Sequence, residues 1–307
     1  MTSKGLLASR YSSSLRDRDI TVYCLGDQAK ALHAALGSIR DLIDRRKEMG
    51  RHRLAKVCSA GNNPEVFVKT ARIESLPSRL RISLGLKRRS GAYDWALAEL
   101  HNNIKASQRT NLIPMLIGYG FIKRNLGLVN EVFLTYENLD DHVDGLAWTR
   151  RNPSKIKIFI QASLNLITTL NWQGIYHLDL WAANIMLPTG NINGMKVVDL
   201  ENCFIGTCAH HSETVGFQFG FLYQYALNQF ITEAHYDALV STYIGNLSDI
   251  DQVRFQPFYQ RFKHQCADRK DRHLIPQRGL LIDGKPAKPR AAHSHPHRKN
   301  LGRAAID

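Results

Sequence analysis

Gly174-Ile175-Tyr176-His177-Leu178-Asp179-Leu180-Trp181-Ala182-Ala183-Asn184-Ile185-Met186-Leu187, followed by Lys196-Val197-Val198-Asp199-Leu200-Glu201, is the stretch on which the reading of this chain turns. A histidine, an aspartate and an asparagine share one short segment. A second apolar run then ends in another aspartate twenty residues after the first. Immediately upstream, Ile156, Phe159, Ile160, Ile167 and Leu170 recur at helical spacing, which predicts a long amphipathic helix over Lys155–Trp172. Short strands are expected near Ile185–Leu187 and Met195–Val198, then helices from about Glu213 to Ala267.

Toward the N-terminus the pattern changes. Gln28–Met49 has helical spacing through Leu32, Leu36, Ile39, Leu42 and Ile43, with a basic far face. Arg53–Ser59 and Glu65–Ala71 read as strands, and Gly61-Asn62-Asn63-Pro64 between them is turn chemistry, so a hairpin is expected. Ala92–Ala106 reads as a helix, and Leu112–Phe121 and Glu131–Tyr136 as strands. A strand-rich half with one inserted helix, followed by a helix-rich half, predicts an α+β fold in two lobes with any ligand in the cleft between them. The expected divisions are 1–139, 140–275 and a basic tail over 276–307.

Lys and Arg number 41 against 27 acids, a net charge of +14. Residues 276–307 hold seven basic residues and two acids, so this segment alone carries +5. With 44% hydrophobic and 22% charged residues the chain reads as globular,. No eighteen-residue apolar run offers a spanning helix. Met1 to Gly5 lead into polar residues with no apolar signal core, and Cys24, Cys58, Cys203, Cys208 and Cys266 show no paired spacing, so a reducing cytoplasm is expected. Cys203, Cys208, His210 and His211 match no common zinc pattern.

His177-x-Asp179-x4-Asn184 leaving a long helix, with an apolar strand ending in Asp199, resembles the catalytic core of the protein-kinase-like superfamily. Phosphoryl transfer needs a carboxylate to orient the acceptor hydroxyl and take its proton, and oxygens to hold Mg²⁺ on the nucleotide phosphates. The resemblance implies that Asp179 is the catalytic base and that Asn184 and Asp199 hold Mg²⁺. It implies that His177 ties the catalytic loop to the metal-binding segment. Glu65-Val66-Phe67-Val68-Lys69 resembles the strand whose lysine meets the phosphates of ATP, and alternation places Lys69 half-buried, where an anion is needed. Its acidic partner would be Asp94 or Glu99. Phe133 to Leu139 looks like the strand entering the hinge, with adenine held by backbone groups of about Glu137 to Leu139.

The family pattern also fails in places. No GxGxxG precedes Lys69, and Gly50, beside Arg51 and Arg53, is the sole glycine at about the right distance. Trp181 stands where protein kinases usually carry a lysine, and Asp199-Leu200-Glu201 replaces Asp-Phe-Gly. About fourteen residues separate Asp199 from the helix near Glu213, a short segment for docking a peptide.

His-x-Asp-Leu-x-Ala-x-Asn-Ile, with Lys87-Arg88-Arg89-Ser90-Gly91-Ala92-Tyr93-Asp94-Trp95 entering the helix, is similar to bacterial kinases of lipopolysaccharide core sugars, the heptose and 3-deoxy-manno-octulosonic acid kinases. The resemblance spans roughly 53–267. It implies an anionic glycolipid or sugar acceptor and peripheral contact with the inner membrane from the cytoplasmic side. Arg72, Arg79, Arg81, Lys87, Arg88 and Arg89 would then serve such an acceptor; the interleaved aromatics of a nucleic-acid platform are missing. A small-molecule kinase of the aminoglycoside or choline type shares the core motifs. A nucleotide-binding pseudokinase scaffold is the reading from another class. His293, His295 and His297 read as a tail segment with incidental metal affinity.

Overall fold

The computed structural model describes residues 11–280, apart from 12, 18, 59–64, 90, 92, 125, 126 and 191. The fold is α+β, with an antiparallel β-sheet region toward the N-terminus and a helical C-terminal part. Two compact units form. Among the described residues, one holds 11–86 together with Ile117–Asn138, and the other holds Lys87–Leu116 together with 139–280.

The first unit is built on six strands in the order β1 (Ser13–Asp17), β2 (Ile20–Cys24), β5 (Leu116–Arg124), β6 (Leu128–Glu137), β4 (Val66–Arg72) and β3 (Arg53–Cys58). Helix α1 (Ala29–Glu48) lays Leu32, Leu36, Ile39 and Ile43 against Ile20, Val22, Val68 and Phe133 of the sheet. Gly120 has no side chain because an added Cβ would stand 2.2 Å from the Phe133 ring. The basic face expected on α1 is interrupted by Arg46, which is fully buried and pairs with Glu131 at 2.5 Å. A buried ion pair of this kind fixes register more than it adds net stability. Strands β3 and β4 pair as expected, with Lys69 opposite Ala55; their expected turn, Gly61 to Pro64, lies outside the described residues.

Gly50 has a structural task. It sits at φ 60 just past α1 and donates its N–H to the Lys47 carbonyl at 2.9 Å, closing the helix, while the Arg51 carbonyl accepts from Arg46. This residue is a helix terminator. The first two strands were not anticipated; β1 is a mostly exposed polar run whose side chains carry no alternation. Helix α2 (Leu76–Leu84), capped by Ser75, was also unforeseen.

In the second unit, helix α3 (Trp95–Ala106) groups with the C-terminal elements, although sequence reading placed it in the 1–139 division. Helices α4 (Gly145–Arg151), α5 (Ile156–Trp172), α6 (His211–Gln224), α7 (Glu233–Ile244), α8 (Gln252–Phe262) and α9 (Arg269–Arg278) follow. Between them lie β7 (His142–Asp144), β8 (Ile175–His177), β9 (Ile185–Pro188), β10 (Lys196–Val197) and β11 (Cys203–Ile205). Phe159, Ile160, Leu164 and Ile167 of α5 form the centre of its core with Val215, Phe219 and Leu222 of α6. Gly216 lets α6 approach α8, since a Cβ there would lie 2.4 Å from the Phe255 carbonyl oxygen. Helix α9 carries the fold past the expected tail boundary, because Ile275 and Pro276 are buried. Residues 281–307, with the three tail histidines, lie outside the described residues. No described helix is long and apolar enough to cross a membrane.

Candidate active site

The chain reverses after α5 through Gly174 at φ 70 and runs up β8, which pairs antiparallel with β11 so that His177 faces Cys203. It then loops through Asp179 to Asn184 and returns as β9, paired with β10 so that Ile185 faces Val197. These two short ladders hold the first aspartate segment against the second. Beyond β10 the Val198 N–H donates to the Asn184 carbonyl at 3.0 Å, and the Leu178 N–H to the Asn202 carbonyl at 2.9 Å.

His177 locks the same junction from a nearly fully buried position. Its Nδ1 accepts the Asp179 N–H at 3.2 Å, which puts the ring proton on Nε2, and Nε2 donates to the Val198 carbonyl at 3.1 Å. One neutral tautomer satisfies both bonds. The Asn184 amide donates to the Asp179 carbonyl at 2.9 Å, which points its Nδ2 at the loop and leaves Oδ1 as a hard oxygen donor,.

Asp199 is the one non-glycine residue at positive φ among the described residues, with φ 70 and ψ 54. A left-handed backbone at an aspartate costs of order 1–3 kcal/mol, and such strain collects where a side chain must be aimed. Its carboxylate meets those of Glu99 and Glu201, each offering one oxygen within 4.8 Å of the others. Helix α3 is tied there by Asn102, whose amide donates to the Leu200 carbonyl at 2.8 Å. The local field is strongly negative. Burial, reinforced by Asp199, Asp179, Glu99 and Glu201, pushes the Cys203 thiol well above its ordinary value,. Oxygen donors with surplus negative charge suit Mg²⁺ rather than a thiophilic metal. Asp199, Glu99 and Glu201 offer such oxygens together, and Asn184 adds an amide oxygen on the neighbouring segment.

Asp179 is restrained from a direction sequence reading did not reach. Arg272, 2% exposed on α9, donates from Nη1 to Asp179 Oδ1 at 2.6 Å and to the Leu178 carbonyl at 3.3 Å, and from Nε to the Ala267 carbonyl at 2.9 Å. Its guanidinium lies 4.5 Å from the Phe221 ring centroid. One turn earlier, Arg269 pairs with Glu201 and reaches Asp179 Oδ2 at 3.8 Å. Two arginines thus stand beside Asp179, and Trp181, two residues further on, packs toward Tyr225. Arg269 and Arg272 lie beyond Ala267, where the resemblance ends, on a helix whose sequence is basic.

The remaining sequence candidates lie as follows. Lys69 is half-buried on β4, opposite Leu134, with its ammonium 5.8 Å from the Tyr136 ring centroid. Asp94, nearly fully buried at the start of α3, receives Arg88 Nε at 2.9 Å and Nη2 at 2.6 Å, while Glu99 lies with Asp199. Glu137 ends β6 opposite Val66, and the Leu139 carbonyl accepts the His142 N–H at 3.2 Å. The division between the two units falls between Asn138 and Leu139.

The basic stretch is less free than its charge suggests. Arg79 donates to the Ile73 carbonyl at 2.9 Å, Arg81 to Ser78 Oγ at 2.9 Å, and Lys87 lies over the Tyr93 ring at 5.2 Å. Arg88 belongs to the Asp94 pair, so neutralising it would disturb the fold as well as the surface.

No family model and no curated protein matches the chain. Among solved structures it is similar to a Stt7 homolog from Micromonas algae, crystallised and soaked with ATP, at 13% identity and a TM-score of 0.37. That likeness covers 50% of this chain and 46% of the other, so the chain spans under half the length of that structure.

Proposed function

We propose that this protein is an ATP-dependent kinase acting on an alcohol group, with a sugar hydroxyl of the lipopolysaccharide core as its acceptor at the cytoplasmic face of the inner membrane. One observation supports the kinase reading: two short ladders and His177 hold the segment of Asp179 and Asn184 against the segment that ends in the backbone-strained Asp199.

Asn184 Oδ1 and the Asp199 carboxylate would hold Mg²⁺, which supplies charge neutralisation on the transferred phosphates when bound. Asp179 orients the acceptor hydroxyl and takes its proton. The acceptor oxygen forms a bond to the γ-phosphorus, the bond from that phosphorus to the β–γ bridging oxygen breaks, and ADP leaves. Arg272 keeps the Asp179 carboxylate in one orientation, which positions the group that receives the proton. Lys69 would bind the nucleotide phosphates with Asp94 or Glu99 as its acidic partner, and adenine would meet the backbone of about Glu137 to Leu139.

The acceptor class rests on the Lys87-to-Trp95 resemblance and the positive charge. The small-molecule kinase of the aminoglycoside or choline type shares the whole Asp179–Asn184–Asp199 arrangement. ATP turnover measured with and without purified core oligosaccharide separates the two, and a clear acceleration by the oligosaccharide is the expected result. Turnover stimulated by a soluble aminoglycoside or choline instead would move the acceptor to the small-molecule class. Lys69→Ala should raise the KM for ATP at saturating Mg²⁺, and an unchanged KM would remove Lys69 from the site.

A further inference from the structure

Helix α2 carries an apolar stripe that nothing in its own unit covers. Leu76, Leu80 and Leu84 recur every four residues along one side and are 66%, 49% and 56% exposed; Leu86, just beyond the helix, is 48% exposed. At 1.5 Å per residue the three helical leucines span about 12 Å. The opposite side fastens the helix down: Ile82 is buried, and Ser83 Oγ accepts the Val129 N–H of β6 at 2.8 Å. The outward face is therefore presented by a well-anchored helix.

Positive charge flanks and intersperses the stripe in sequence. Arg72 precedes it and is exposed, Arg79 and Arg81 lie within it, and the chain leaves it through exposed Lys87, Arg88 and Arg89. Glu74 is the one acid from Arg72 to Arg89, and it is engaged by His52 at 2.6 Å. A basic rim around a leucine ridge selects against several occupants. The chain's own segment 276–307 carries +5 and would be repelled. A second copy would bring the same basic rim against itself.

We propose that α2 is an interfacial docking helix that seats Leu76, Leu80 and Leu84 at the headgroup boundary of an anionic bilayer, with Arg72, Lys87 and Arg89 meeting the lipid phosphates. An amphipathic helix with basic flanks and leucines on one side binds in this way through apolar burial plus attraction to anionic headgroups. This deepens the membrane-surface acceptor reading by naming the contacting element. The measurement needs no turnover, so it stands or falls separately from the kinase assignment.

The test is co-sedimentation of the full chain with vesicles of phosphatidylcholine alone and of phosphatidylcholine with phosphatidylglycerol. Two variants accompany it: L76Q/L80Q/L84Q, which keeps helix-forming residues at exposed positions, and R72Q/K87Q/R89Q, which leaves the Arg88–Asp94 pair intact. Wild type should bind the anionic vesicles and leave the neutral ones. The leucine variant should lose about tenfold or more of the partition coefficient at every salt concentration. The charge variant should lose binding mainly at low salt, since exposed charges act over about 8–10 Å at physiological ionic strength. Circular dichroism of both variants should match wild type. Failure of wild type to bind anionic vesicles overturns the proposal and turns the ridge toward a protein partner. Binding by the leucine variant equal to wild type overturns it also, reducing the contact to charge alone.

Discussion

Asp179→Asn is expected to lower phosphoryl-transfer turnover by about 10²–10⁴-fold, the range that general-base catalysis typically contributes. Asparagine keeps the shape of the side chain and an oxygen that accepts a hydrogen bond, so the loop geometry set by His177 and Asn184 should persist. What it removes is the carboxylate proposed to receive the hydroxyl proton. The structure adds a consequence: Arg272 is buried against Asp179, and the variant leaves that guanidinium without its counter-charge. A stability loss of roughly 1–3 kcal/mol should therefore accompany the loss of rate, as for other weakened buried charged contacts. Rate and stability separate by assaying well below the unfolding transition, where a folded variant must still be slow. Turnover above about half of wild type, against the usual scale of base catalysis, would show that Asp179 is not the proton acceptor.

Arg272→Met is expected to have the largest effect on stability, about 3–5 kcal/mol, the usual cost of removing one partner of a buried ion pair. Methionine retains much of the buried volume and the contact with Phe221, so the loss is electrostatic and polar. Asp179 loses its 2.6 Å partner, and the Leu178 and Ala267 carbonyls lose their donors. Urea unfolding should show a lower midpoint with little change of slope, since the surface exposed on unfolding is nearly the same. Arg272→Lys should recover part of the midpoint but not all, because one ammonium cannot match the guanidinium fork. A midpoint equal to wild type for Arg272→Met would mean that α9 does not hold the Asp179 loop.

The parts legible in sequence are those whose signal is local. Helix α5 announces itself by its periodic apolar face, and β3 and β4 by alternation around a turn. The junction of Asp179, Asn184 and Asp199 was readable as a motif, with the role of His177 implied by resemblance. Its hydrogen bonds follow from two ladders of only two and three residue pairs, far too short to be found by pattern. Arg272 was invisible for a different reason. Arg269-Lys270-Asp271-Arg272-His273 reads as a solvated run, and Pro276 as a stop. The partner that makes Arg272 a core residue lies 93 positions away. The task of Gly50 is not legible locally, since a positive-φ helix terminator and a phosphate-loop glycine look alike in sequence. The leucine ridge of α2 is hidden in sequence by the arginines, serines and proline between its leucines.

If Asp199, held at a strained backbone position beside Asn184, supplies a Mg²⁺ ligand, then nucleotide binding depends on a divalent cation. Titration calorimetry of ATP into the protein, with Mg²⁺ and with a chelator in its place, tests this when repeated on Asp199→Ala. Wild type should bind ATP tightly only with Mg²⁺, and the variant should lose about tenfold or more, the scale expected for loss of a charged metal ligand. Equal ATP affinity with and without Mg²⁺, unaltered by Asp199→Ala, would contradict it.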